Sequence, residues 1–276
     1  MLTRSMQLTI EHRTHYRYSE PVNYTIQQLR LTPVDGYGQR VWHWDIRVHA
    51  DLHRFLDAHG NTTHTLVLDK PHDEISIVAC GEVETGLPYD AGHQRLPLEV
   101  YLRRTELTGM DTELRRFADR FARYVEDAGD AWLDALMHAI VERVPYVRGN
   151  TMVNTTAADA FRLGAGVCQD HAHIFIACCR YLGLPARYVS GYLFTQDGRL
   201  MESHAWADVY LRDGGWRSLD VSNGCRTNGV HVRLATGLDY RDACPVSGVR
   251  VGGGTESMGV SVLVNQAGQM QQAQQQ

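Results

Sequence analysis

The sequence predicts an α+β chain in two parts, an antiparallel β-sandwich-like module followed by a mixed module of helices and strands. Three observations carry this. Period-two alternation of apolar and polar residues dominates positions 1–108; spacings of three and four take over at Gly109 to Asp111; and alternation returns after Gly183-Leu184-Pro185.

In the first part, Gln7 to Tyr18 places Leu8, Ile10, Tyr16 and Tyr18 on one strand face, and Val41 to Val48 places Trp42, Trp44, Ile46 and Val48 on another. Arg54 to Leu68 reads as a hairpin around Ala58-His59-Gly60-Asn61, where glycine and asparagine accept the positive φ of tight turns. Glu74 to Val83 adds a strand, and no helical stripe interrupts the series. His12, His15, His43, His49, His53, His59 and His64 show no ligand spacing and read as solvated strand or loop residues.

In the second part, Asp111 caps a helix with Leu114, Phe117, Ala118, Phe121, Tyr124 and Val125 on one side. A second helix after Asp130 carries Trp132, Leu133, Leu136, Ile140 and Val144 and stops at Pro145. Thr155 or Thr156 caps a short helix over Ala157 to Leu163. A buried central helix is expected from Cys168 to about Leu182, since few charges interrupt it. Ala186 to Phe194 is a strand, Asp197-Gly198 a turn, and Ser203 to Leu211 with Trp216 to Val221 a hairpin across Arg212-Asp213-Gly214-Gly215. Gly237 to Pro245 reads as a turn or short helix and Ser257 to Val264 as a closing strand. The domains are therefore expected at 1–108 and 109–264, with the glutamine-rich 265–276 as a disordered tail.

Composition narrows the function. A formal charge of -5, with arginines scattered along the chain, argues against a general nucleic-acid binder. No apolar run approaches a membrane span, and Met1 to Ser19 lacks the apolar centre of a secretory signal, so no membrane association and a cytoplasmic location are expected. The six cysteines, at 80, 168, 178, 179, 225 and 244, lack the repeated spacing of a disulfide scaffold or of paired zinc knuckles. Cys168 with His171 and His173 has no second ligand pair, so neither a metal nor another cofactor is expected.

The chemistry concentrates around Gly164-Ala165-Gly166-Val167-Cys168. Two glycines permit a tight turn, and Cys168 falls on a helix's first turn, where unpaired amides and the macrodipole favour thiolate over thiol. A cysteine nucleophile needs an imidazole partner, and that partner an orienting group. His204 and Asp220 fill these roles if the hairpin loop spans Leu211 to Gly215, because Asp220 then faces Trp206 and lies diagonal to His204, with Cα atoms about 7–8 Å apart. With a three-residue loop the two would sit four positions apart, out of reach.

At these residues the chain resembles the transglutaminase-like cysteine protease superfamily, in particular its bacterial branch with an N-terminal β domain. The resemblance rests on Gly166-Val167-Cys168-Gln169-Asp170-His171-Ala172-His173, Gly183-Leu184-Pro185-Ala186-Arg187-Tyr188-Val189-Ser190-Gly191-Tyr192, Ser203-His204-Ala205-Trp206-Ala207-Asp208-Val209-Tyr210 and Gly237-Leu238-Asp239-Tyr240-Arg241-Asp242. It implies a papain-like, transglutaminase-core fold for the second part, with Cys168 as nucleophile, His204 as general base and acid, and Asp220 orienting His204. After Asp220 the sequence departs from its relatives, with Val221-Ser222 where they usually have Pro-Thr.

The residues together imply an amide-bond enzyme working through a thioester, with protease or amidase activity on a peptide or protein favoured over amine transfer. A transglutaminase, an acyltransferase and a non-catalytic binding protein on the same fold are the alternatives. The Cys168 backbone N–H would hold the oxyanion, with Tyr146 and Gln169 as candidates for the second donor, Gln169 the weaker. Trp206 would shield His204 or line the acyl pocket. Asp170, His171 and His173 would anchor the cysteine helix. The edge strands of the β module offer pairing surfaces for a protein substrate or a second copy, so a homo-oligomer stays open.

Overall fold

The computed structural model describes residues 5–90, 95–125, 129–195, 203–212 and 214–266, in two antiparallel sheets with helices packed on the second. The expected turn at Asp197-Gly198 and the tail from 267 onward lie outside the described residues.

The first sheet is built on one long strand, β1 (Met6–Leu29). Its first half pairs with β5 (His72–Thr85) and its second half with β4 (Thr62–Leu68), which joins β3 (Leu52–Leu56) in the expected hairpin. β2 (Gln39–Arg47) extends the sheet beyond β5. Pro21, which has no amide proton to donate, sits where the pairing with β5 breaks register, between Arg17 and Val22. The two halves of this single sheet jointly enclose a core of Tyr16, Tyr18, Ile75 and Ile77 with Leu29 and Leu66, which realises the sandwich-like enclosure with a shared strand.

Alternation along β2 breaks at a bulge between Val41 and His43. The extra residue reverses the parity, so Trp44 and Ile46 pack inward while Trp42 is 59% exposed. His12 is likewise not solvated: it is buried between the Tyr192 hydroxyl, 2.8 Å from Nδ1, and Thr14, and that burial lowers its pKa to about 4.

In the second part, α1 (Thr112–Asp119) starts at Asp111, whose carboxylate accepts the Leu114 N–H, and is shorter than its apolar stripe. The stripe continues through a turn of 3₁₀ helix to Tyr124. α2 (Ala131–Arg143), α3 (Ala157–Leu163) and α4 (Cys168–Tyr181) follow as expected. The second sheet has the order β10 (His231–Gly237), β6 (Ala186–Leu193), β7 (His204–Tyr210), β8 (Trp216–Asp220), β9 (Cys225–Arg226). Ala205, Ala207 and Val209 of β7 join the core that contains α4, so alternation turns His204, Trp206 and Asp208 to the other face.

After α5 (Tyr240–Ala243) the chain leaves this sheet. β11 (Val246–Gly252) and β12 (Glu256–Gln266) pair with the second and first halves of β1. The expected boundary at 264 is corrected accordingly: the C-terminal strands complete the first sheet, and Asn265 and Gln266 pair with Thr9 and Leu8 instead of beginning a tail. Alternation marks a strand but does not name its partner.

Two side chains from the first part cover the backbone of β10, the outer strand of the second sheet. Gln39 exchanges hydrogen bonds with the Arg233 backbone, and Asn61 does the same with Thr236. Each amide imitates a neighbouring strand and closes an edge that would otherwise be unpaired.

Candidate active site

Cys168 is placed by the way the chain turns into α4. α3 ends on Gly164 in the left-handed region, at φ 68°. Gly166 then bridges to Tyr146, its N–H donating to the Pro145 carbonyl at 3.2 Å while its own carbonyl accepts the Val147 N–H at 2.8 Å. A Cβ at Gly166 would lie 2.8 Å from Asp170 Cβ, so only glycine permits this approach. Asp170, in the first turn of α4, accepts the Val167 N–H at 2.8 Å and the Thr151 hydroxyl at 2.7 Å. Cys168 is the first residue of the helix and is half-buried among its unpaired amides.

The rest of α4 is tied down as the sequence suggested. His171 Nε2 donates to the Val144 carbonyl at 2.6 Å. His173 Nε2 accepts the Tyr240 N–H at 3.1 Å, and burial drives its pKa down to about 3, leaving it a neutral acceptor. Arg180 reaches the carbonyls of Tyr101, Ala186 and Leu238.

The hairpin register decides where His204 meets Asp220. Tyr210 pairs with Trp216 and Ala207 with Leu219, the register of the longer loop. His204 Nε2 accordingly lies 2.7 Å from Asp220 Oδ2, with His204 8% and Asp220 0% exposed. Burial works against a charged His204, but its hydrogen bonds to Asp220 and Cys168 outweigh burial and raise its pKa. Burial would by itself raise the Asp220 pKa, but hydrogen bonds from His204 and His231 hold that carboxyl far below its usual range. Cys168, His204 and Asp220 are thus brought together.

Three residues that sequence reasoning missed complete the surroundings of Asp220. His231 Nε2 lies 3.0 Å from Oδ2, Asn223 Nδ2 donates to the same oxygen at 2.7 Å, and the Ser222 hydroxyl donates to Oδ1 at 3.0 Å. Ser222 lies in the departure from the family pattern and Asn223 directly follows it. Residues that fold back onto a neighbouring acid were a readable signal there. For His231 there was none, since two strands separate β10 from β8 in the sheet.

Ligand atoms of His204, Asp220 and His231 lie within 4.8 Å of one another, close enough to suggest a metal site. Hydrogen bonding argues otherwise. His231 Nδ1 accepts the Asn228 backbone N–H at 3.2 Å, so the ring's proton sits on Nε2, which then has no lone pair for a cation.

Trp206 is buried, with its ring centroid 6.2 Å from that of His204 and 5.5 Å from that of His231. Beneath it, Asp208 accepts from Arg187 at 2.8 Å and from both terminal nitrogens of Arg233 at 2.8 Å. Of the two oxyanion candidates, Gln169 directs its amide to the Val153 carbonyl at 2.9 Å, and Tyr146 flanks the cysteine loop with its ring stacked on His171. A cavity of about 350 Å³ adjoins Ser203, walled by Thr14 and Tyr16 of β1, Met258 and Val260 of β12, and Tyr240.

Comparison with known proteins agrees with this architecture. The sequence model of the bacterial transglutaminase-like N-terminal region matches residues 8–84, and that of the transglutaminase-like superfamily matches residues 115–221, two thirds of the chain together. The chain belongs to the transglutaminase-like superfamily. An uncharacterized protein of Mycobacterium leprae is 26% identical over 94% of this transglutaminase-like chain and 98% of its own length. One from Mycobacterium tuberculosis is 28% identical over 90% of this chain and 88% of its own. A solved structure from Cytophaga hutchinsonii, described as a candidate cysteine protease, has the same fold, with a TM-score of 0.70 at 21% identity, covering 96% of this chain and 92% of that one. No helix among the described residues is long and apolar enough to cross a membrane.

Proposed function

We propose that this transglutaminase-like protein is a cysteine-dependent amide-bond hydrolase, a protease or amidase, acting through a thioester at Cys168. The observation that carries the reading is the buried contact of His204 with Asp220 at 2.7 Å, with Cys168 near enough to favour the charged imidazole. Because Nε2 faces Asp220, Nδ1 is the nitrogen that serves the thiol. Cys168 passes its proton there and attacks the carbonyl carbon; the imidazolium then protonates the departing amine as the C–N bond breaks. His204 next takes a proton from water, which attacks the thioester and releases the acid and the free thiol. The Cys168 backbone N–H, unpaired at the helix start, holds the oxyanion, with Tyr146 preferred as second donor over Gln169, whose amide is taken up by the Val153 carbonyl. Trp206 shields the His204–Asp220 contact, and the cavity beside Ser203 gives a peptide side chain room.

Hydrolysis is preferred to amine transfer because transfer needs a channel that admits an amine while keeping water from the thioester. The cytoplasm is the proposed location, in keeping with six free cysteines. A thiol-directed acyl probe tests the assignment. Rapid labelling at Cys168 that disappears in His204→Ala is expected, and labelling no faster than at Cys178 or Cys179 would overturn it. Mass spectrometry of a peptide library, with and without a primary amine, separates hydrolysis from transfer.

A further inference from the structure

The imidazole of His231 has its two nitrogens committed in opposite senses. Nδ1 accepts the backbone N–H of Asn228 at 3.2 Å, and Nε2 lies 3.0 Å from Asp220 Oδ2. An imidazolium has no acceptor, so the ring is neutral and its single proton points at Asp220. The oxygen it reaches also accepts from His204 and from the Asn223 amide, both at 2.7 Å. Gly191, on the intervening strand β6, leaves room for the Trp206 ring: a Cβ there would stand 2.4 Å from that ring and 2.2 Å from the Val232 carbonyl oxygen. The Trp206 ring packs edge-on against His231, with centroids 5.5 Å apart, and covers the contact.

We propose that His231 is a positioning residue for the reaction, a neutral donor locked in its Nε2–H tautomer that fixes the Asp220 carboxylate against His204. The proposal rests on the reading of Cys168 and His204 given above. Its consequence is electrostatic as well as geometric. Each donor on a carboxylate lowers that carboxylate's hold on a proton. With His231 in place, Asp220 orients His204 without gripping its imidazolium so tightly that the proton cannot pass to a leaving amine. The other ionisable groups around the trio are Cys168 and His171 on α4, Cys225 on β9, Arg233 on β10 and Asp208 on β7, whose charge the arginines neutralise.

The test is the pH profile of Cys168 alkylation by iodoacetamide, which needs no knowledge of the substrate. In His231→Phe, Asp220 loses a neutral donor and holds the His204 imidazolium more strongly, so the alkaline limb should move up by about half a pH unit or more. His231→Gln keeps a donor and an acceptor and should restore the wild-type limb. An unshifted limb in folded His231→Phe overturns the proposal. If that variant does not fold, long-range ¹H–¹⁵N spectra of the wild type decide: a neutral Nε2–H form at neutral pH is expected, and an Nδ1–H or charged ring overturns it. His204→Ala is the control. If it leaves alkylation unchanged, the reading of the site fails; if it abolishes fast alkylation while His231→Phe shifts nothing, only the role of His231 fails.

Discussion

Asp220 Oδ2 and His204 Nε2 lie 2.7 Å apart, and water reaches almost none of either side chain. Their contact stabilises the charged forms of both, so removing the carboxylate should be felt in reactivity and in pH dependence alike. In Asp220→Asn the raised pKa of His204 should fall. Its imidazolium would then be lost at lower pH, moving the alkaline limb of Cys168 alkylation down, opposite in sign to the effect of His231→Phe. The rate of turnover should drop on the order of 10²–10⁴-fold. An unchanged limb would show that the carboxylate does not govern the imidazole.

The cysteine loop gives a second expectation. Gly166→Ala sets a methyl group 2.8 Å from Asp170 Cβ and so displaces the carboxylate that caps Val167. The cost should be about 1–3 kcal/mol in urea unfolding, with slower labelling of Cys168 because its helix start moves. Wild-type stability and labelling would refute the close-packing argument.

The buried network below Trp206 predicts acid sensitivity. Burial alone would raise the Asp208 pKa, but Arg233 and Arg187 lower it to about 2. A carboxylate depressed in the folded state stabilises above its unfolded pKa of about 3.9. That contribution is lost as pH falls from there towards 2. Asp208→Asn leaves two buried guanidinium groups without their counter-ion and should cost about 3–5 kcal/mol at neutral pH. The variant should also show a flatter decline in stability between pH 4 and 2, measured by chemical denaturation at each pH.

Gln39 joins the two sheets through the Arg233 backbone, with bonds of 2.9 and 2.8 Å. Gln39→Ala exposes no charge but leaves a buried N–H and a buried carbonyl unpaired, so about 1–3 kcal/mol of stability should be lost. Hydrogen exchange should quicken at the Arg233 amide first. Uniform exchange across the sheet would mean the edge is held by other contacts.

Much of this was legible before any coordinates. Gly164 and Gly166 before a helical run with few charges placed Cys168 at a helix start, since backbone freedom and helix capping are local properties. The hairpin from His204 to Asp220 narrowed to two registers, because loop length and side-chain alternation constrain neighbouring strands together. Local pattern failed where one extra residue reverses a strand's facing, as at Trp42, and it misread His12, whose burial depends on Tyr192 from a distant strand.

By itself the sequence determined the helices and most strands, though not β10 or β11, and with them the cysteine at its helix start and the shared face of His204 and Asp220, all consequences of contacts between near neighbours in the chain. Only the tertiary structure decided that β11 and β12 return to β1, that the hairpin takes its longer loop, and that His231 reaches Asp220 across two strands. Pairing between distant segments depends on which surfaces meet as the chain collapses. A strand's alternation records that one face is covered but not what covers it.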